Sequence, residues 1–199
     1  MGVISMMRHP WHRGYARNSA DVGDAVQAIL AHKEVHAVVM VATYHPAAAF
    51  IQQTKDAKRD LLLANVSFVG TDALGEEFRQ LRPGYANGVI VTQVVPHPAS
   101  HSSAVLKFRD VLSQYNPSEE PGFVSLEGYI DATIIVEGLR RAATNLTTEK
   151  LVESLESIHG LDIGLGAPLN FGPSEHQASH KVWGTVFDAQ GKLQILQLE

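Results

Sequence analysis

Val38-Val39-Met40-Val41-Ala42-Thr43-Tyr44-His45-Pro46 is an apolar run that stops at a small polar and aromatic cluster and then a proline. The pattern returns downstream, where Asn65-Val66-Ser67-Phe68-Val69-Gly70 runs into Thr71-Asp72-Ala73. Each reads as a buried parallel strand whose carboxyl end opens into a helix, and open α/β sheets bind ligands at those ends. Successive strands therefore deliver a tyrosine and an aspartate to one rim, half of a small-molecule site.

Working outward, Val22, Ala25, Val26, Ile29 and Leu30 fall at helical spacing, with Asp21 as the cap. Residues 36–41 are expected as a strand buried on both faces, because nearly every position is apolar. Pro46 suits the first turn of a helix running through Phe50 and Ile51 towards Asp60. A second strand at 65–70, a short helix at 73–81 and a third strand at 88–94 complete a β-α-β-α-β rhythm. Crossovers of helix length make the sheet parallel. Val95-Pro96-His97-Pro98 is then a stiff crossing segment, since proline fixes φ and extends its predecessor. Helices are expected at 102–115, 125–143 and 147–158, followed by a glycine-rich stretch at 160–172. The chain ends in a hairpin pattern, 181–187 and 192–198 about Asp188-Ala189-Gln190-Gly191.

With 199 residues, 45% of them hydrophobic, the chain can bury a core as one or two domains. A net charge of −5 and no basic cluster give no reason to expect nucleic acid or an anionic membrane as partner. The absence of cysteine removes disulfides, thiol nucleophiles and cysteine-ligated metal. Arg8, His9, Pro10, Trp11, His12 and Arg13 stand where a signal peptide would need an apolar core. No apolar stretch approaches the ~20 residues of a membrane span. As written, the chain reads as soluble.

The stretches Tyr15-Ala16-Arg17-Asn18, Thr43-Tyr44-His45-Pro46, Phe68-Val69-Gly70-Thr71-Asp72 and Gly88-Val89-Ile90-Val91-Thr92-Gln93-Val94-Val95-Pro96 occur in a telling order. So do Leu126-Glu127-Gly128-Tyr129-Ile130-Asp131-Ala132, Leu139-Arg140-Arg141-Ala142, Pro168-Leu169-Asn170-Phe171 and Val182-Trp183-Gly184-Thr185-Val186. Together they resemble the C-terminal portion of the type I periplasmic substrate-binding proteins of ABC transporters, the leucine/isoleucine/valine type. The resemblance implies a two-lobed α/β fold about twice this length, here truncated. Residues 15–95 would be the second-lobe α/β unit. Residues 96–180 would be the hinge crossing and helices of the incomplete first lobe, and 181–199 the hairpin returning to the second lobe. Residues 1–14 match nothing in the family.

The resemblance also implies a site. Tyr44 would wall a ligand and Asp72 would pair with an ammonium, with Thr43 and Thr71 as neighbouring hydroxyls. The family often carries glutamate where Asp72 stands, which bears on ligand size. Without the resemblance, Asp72 reads as a helix cap and Tyr44 as packing at a sheet edge. His97-x-x-x-His101 and His176-x-x-x-His180 sit at metal-ligand spacing, but neither pair reads as helical and no third ligand converges; no metal or cofactor is expected. No nucleophile elbow or phosphate-binding loop is present. Glu127 and Asp131, one helical turn apart, would be catalytic only if both faced a pocket, so no enzyme activity is expected.

The function implied is a solute-binding receptor for an amino acid or similar small polar solute. Holding one rim of the cleft, this chain should bind weakly or not at all alone. Its implied partners are the ligand, an ABC permease in the complete protein, and the missing N-terminal lobe. The alternative is an interaction module that self-associates or complements that lobe. It would use apolar faces expected at Val105, Phe108, Val111 and Leu112 on one helix and Leu126, Ile130 and Ile134 on another. The location is periplasmic by resemblance, or cytoplasmic if translated as given.

Overall fold

The computed structural model describes residues 2–6, 12–16, 19–144 and 146–198. Arg17 and Asn18 of the first motif, and Arg8, His9, Pro10 and Trp11 of the N-terminal segment, lie outside the described residues. The chain forms two compact units, Met1–Gln93 with Trp183–Glu199, and Val94–Val182.

Among the described residues the first unit is built on a seven-stranded sheet. Its strands are β1 (Gly2–Met6), β2 (His12–Tyr15), β3 (Ala37–Val41), β4 (Leu62–Val66), β5 (Ile90–Gln93), β6 (Trp183–Phe187) and β7 (Leu193–Leu196). Across the sheet the order is β2-β1-β3-β4-β5-β6-β7. The central β3, β4 and β5 are parallel, as the crossover lengths require, and the flanking pairs are antiparallel. Helices α1 (Gly23–Ala31), α2 (Tyr44–Asp56) and α3 (Thr71–Leu81) make the other layer. The sequence had suggested no place for the first residues, yet β1 pairs with β3.

The core lies on one face of this sheet. Val38 and Met40 of β3, Leu63 of β4, Val91 of β5 and Phe187 of β6 join Ile29, Phe50, Ile51, Leu74 and Phe78 from the helices. Residue 36–41 was expected to be buried on both faces; instead Val39 is partly exposed and Val41 exposed. The second strand also starts earlier than expected. The Leu62 N–H donates to the His36 carbonyl at 2.9 Å and opens the β3–β4 ladder there. Gly70, at φ 74°, folds Ser67–Val69 into a 3-10 turn rather than strand. Helix α2 stops at Asp56 short of Asp60, because Lys58 takes φ 54° and Arg59 turns back to donate to the carbonyls of His32 and Val35. Asp21 is not the N-cap of α1; Val22 holds that position, while the Asp21 carboxylate accepts the Gly23 N–H at 3.3 Å.

The β6–β7 hairpin turns on Asp188. Its Oδ1 accepts the N–H groups of Lys192 (2.8 Å) and Gln190 (3.0 Å), and its Oδ2 accepts from Gln194 Nε2. The Lys192 N–H, helped by Gln194, holds this carboxyl below its ordinary value of 3.8. A depressed acid stabilises the fold above its unfolded value, and that contribution is lost as pH falls through the folded one. The expected result is that Asp188→Asn, which keeps an acceptor but not the charge, flattens the fall of Tm between pH 5 and pH 3, roughly the acid window for paired carboxylates. An unchanged acid limb would show that the turn does not depend on that charge.

The second unit is helical, with α4 (Ser103–Tyr115), α5 (Phe123–Ala142) and α6 (Thr148–Glu156). The apolar faces expected to await another partner are instead mostly buried. Val105, Phe108, Leu126, Ile130 and Ile134 are all within the interior, and the Phe108 ring lies 5.6 Å from that of Tyr129. Val111 alone of that set is a large exposed hydrophobic. Gly138 lets α6 approach α5 closely, since a Cβ there would meet the Leu155 side chain at 2.6 Å. Among the described residues no helix is long and apolar enough to cross a membrane.

Candidate functional site

The carboxyl ends of β3, β4 and β5 form one edge of the sheet, and each delivers a different chemistry. After β3 the chain passes buried Ala42 to Thr43, the extended N-cap of α2, and Tyr44 opens the helix. Thr43 and Tyr44 are exposed, Tyr44 by 43%. After β4 the 3-10 turn ends at Gly70, whose left-handed backbone is the N-cap of α3. A Cβ on Gly70 would lie 3.8 Å from Tyr44 Cδ1, so the tyrosine ring rests against this turn. Two sequence-predicted residues, Tyr44 and Asp72, are thereby placed on neighbouring parts of one rim.

Asp72 is exposed in the first turn of α3, where the helix dipole favours negative charge. The N-cap position itself belongs to Gly70, so Asp72 is a first-turn residue and not the N-cap. Thr71 is placed differently from the other three. It is 1% exposed, and its hydroxyl accepts from Gln93 Nε2 at 2.8 Å. His45, beside Tyr44, bridges to Glu77 of α3 at 3.2 Å and ties the start of α2 to the middle of α3.

Two residues at this rim carry no signal in the sequence. Phe68, expected inside a strand, is 67% exposed on the 3-10 turn. Val69 on the same turn is 1% exposed, so an apolar pair in this βα loop does not tell which side chain stays outside. Gln93 ends β5 as a 1% exposed amide, and a single glutamine in an apolar run produces no periodicity. Val94, just beyond it, is exposed.

Elsewhere, burial first and then the Asp131 charge raise the Glu127 carboxyl above its ordinary range. Two clefts in the second unit, one beside Arg109 and Glu119 and one beside Ser103 and Gly166, include neither residue of that pair. Three of the four spaced histidines have local partners. His176 pairs with Glu156 and His180 with Glu175, while His97 Nδ1 accepts the Ala99 N–H and its ring meets Phe123 edge-on. Among the described residues no three His, Asp or Glu side chains converge as metal ligands would.

Residues 11–192 match the protein family described as periplasmic binding protein. A possible leucine/isoleucine/valine-binding protein from Rhodopirellula baltica SH 1 is 38% identical, with a TM-score of 0.80 over 92% of this chain and 48% of its own. A substrate-binding periplasmic protein from Ralstonia solanacearum is 26% identical, with a TM-score of 0.77 over 92% and 51%. The branched-chain amino acid ABC transporter protein from Thermus thermophilus with bound valine shares the fold at 17% identity, TM-score 0.70, over 95% and 50%. The chain spans about half the length of each of these structures. No curated protein matches it.

Proposed function

The chain belongs to the periplasmic binding protein family, and from that premise we propose that it supplies one rim of the ligand cleft in an ABC-transporter solute receptor. The ligand is an amino acid or a similar small polar solute. The carrying observation is the seating of Tyr44 on the Gly70 turn that presents Asp72, at the carboxyl edge of adjacent parallel strands. Asp72 pairs with an ammonium, which a closed cleft tolerates only with an anion and satisfied hydrogen bonds. Tyr44 and Phe68 wall the apolar part, Thr43 offers a hydroxyl, and Thr71 supports the rim from beneath. Members of this family act as transport receptors rather than enzymes. A periplasmic location and an ABC permease as partner follow from the same premise, with closure of two lobes on the ligand as the signal. Affinity drawn from two lobes leaves one rim weak.

The test is a thermal melt with millimolar amino acids and small carboxylic acids. A ligand of the folded state raises the midpoint by mass action. We expect modest shifts from amines only, and Asp72→Asn should abolish them, since a hydrogen bond to a charged group contributes roughly 1.5–3 kcal/mol, about ten- to a hundredfold in affinity. A melt blind to the whole panel rejects a working site on this rim, and a sub-micromolar constant for any amino acid rejects weak binding.

One observation favours self-association as a second reading. The sheet face opposite the core carries Val39, Ala64, Ile90 and Val186 in a single cross-strand row, with Val41 and Leu62 exposed nearby. None of these joins the core cluster. The row is neutral and apolar, so a second copy meets it without charge opposition, and apolar patches drive association. Light scattering that gives a clean monomer at high concentration rejects this reading; a dimer dispersed by Ile90→Lys supports it.

A further inference from the structure

We infer that Gln93 is a positioning residue for the ligand rim: its side-chain amide tethers the first residue of α3 to β6 and so fixes the turn that presents Asp72. The inference rests on the reading of Asp72 as the ligand's charge partner. Its basis is a buried cluster of three polar side chains, Thr71, Gln93 and Thr185, each no more than 2% exposed. Gln93 Nε2 donates to Thr71 Oγ1 at 2.8 Å and to Thr185 Oγ1 at 3.1 Å. The Thr185 hydroxyl donates onward to the Val91 carbonyl at 2.8 Å. With its one proton committed there, Thr185 accepts from the glutamine, and this sets which way the amide faces. Both N–H donors of the amide are thus used, one on each side of β5.

The location gives the cluster its consequence. Gln93 is the last residue of β5 and pairs in register with Trp183, the first of β6. At that pair the chain leaves the first unit and re-enters it. Thr71 is the first residue of α3, next to Asp72, in a turn whose N-cap is a glycine with no side chain to hold it. A helix start without a capping side chain has fewer restraints on its first turn. The Gln93–Thr71 bond supplies one from below. An apolar residue in place of Gln93 would bury without desolvating an amide. A polar cluster joined by these three hydrogen bonds instead favours a single arrangement of the groups around it.

The test reads the first turn of α3 directly in the full chain. The Leu74 N–H, which closes that turn onto the Gly70 carbonyl at 2.9 Å, is the reporter. The Ala47 N–H, which closes the first turn of α2 onto Thr43, is the control. Gln93→Met should speed hydrogen exchange at Leu74 roughly tenfold more than at Ala47, the scale of one lost hydrogen bond in a local opening. Thr71→Val, which cuts the same bond and leaves Gln93 with Thr185, should do likewise and serves if Gln93→Met does not fold. Equal acceleration at both amides would make Gln93 a contributor to global stability only, and would overturn the tether. Melts with the same millimolar panel of amino acids form the second arm, where both variants should lose whatever shift the parent chain shows. A parent chain blind to every amino acid overturns the ligand reading alone, because the exchange result still decides the tether.

Discussion

Phe78→Ala is expected to cost the first unit about 3–5 kcal/mol, the range for deleting a fully buried phenylalanine and leaving a partly relaxed cavity. Phe78 is completely buried on α3, and its ring meets that of Phe187 on β6 edge-to-face, 5.5 Å between centroids and 82° between planes. One turn earlier, a Cβ on Gly75 would lie 3.4 Å from the same Phe187 ring, so helix and strand are already in close contact there. Collapse into the cavity is therefore restricted. The core occupies a single face of the sheet, and a loss on that face has no second core layer to share it. Against a typical domain stability of about 5–15 kcal/mol, a cost of this size moves the unit to the edge of unfolding. The check is the urea midpoint of the variant beside Phe68→Ala, which removes an exposed ring and should cost well under 1 kcal/mol. If the two variants melted together, the Phe78–Phe187 contact would not be the packing centre described.

The parallel part of the fold was legible because its signals are local. Val38 to Val41 is too apolar for a surface segment, Pro46 marks a helix start, and the recurrence at Asp72 sets the crossover length. What misled was periodicity in short apolar runs. A run such as 37–41 gives the same pattern whether one face or both are covered, and here Val39 and Val41 lie off the core. Asn65, a buried amide at the fourth of β4's five positions, hid the true start of that strand at Leu62. The apolar stripes of α4 and α5 were legible as stripes, but amphipathicity does not name what a stripe packs on. The site divides in the same way. The placing of Tyr44 and Asp72 at neighbouring helix starts was legible because each follows an apolar strand directly, at the βα junctions of an open sheet. Thr71, one residue from Asp72, shares its sequence neighbourhood yet points into the interior towards Gln93. That distinction depends on the left-handed turn at Gly70, which the sequence does not show.

The second large effect is expected at Gly164, where alanine should cost the second unit about 3 kcal/mol or more, summing backbone strain and overpacking. The backbone of Gly164 stands at φ 91°, which an L side chain rarely adopts. Its N–H donates to Asp162 Oδ1 at 2.8 Å, and its carbonyl accepts the N–H of Ala104 at 3.3 Å. That second bond matters because Ser102, the N-cap of α4, makes no side-chain capping hydrogen bond. A carbonyl from a loop some sixty residues away in sequence, roughly the interval from Ala104 to Gly164, thus satisfies one of the four donors that every helix start leaves open. The approach is close enough that a Cβ on Gly164 would sit 2.8 Å from the Ala104 nitrogen and nearer still to the Ser103 hydroxyl. The hydroxyl can rotate away; the backbone nitrogen can only move with the helix. Gly160 separates the two causes, since it also has positive φ, at 67°, but a Cβ there meets nothing within 4 Å. Gly160→Ala should therefore cost only the strain, about 1 kcal/mol. Thermal unfolding of both variants decides the matter. A Gly164→Ala loss no larger than that of Gly160→Ala would mean that the loop does not press on the start of α4, and that α4 is capped by solvent instead.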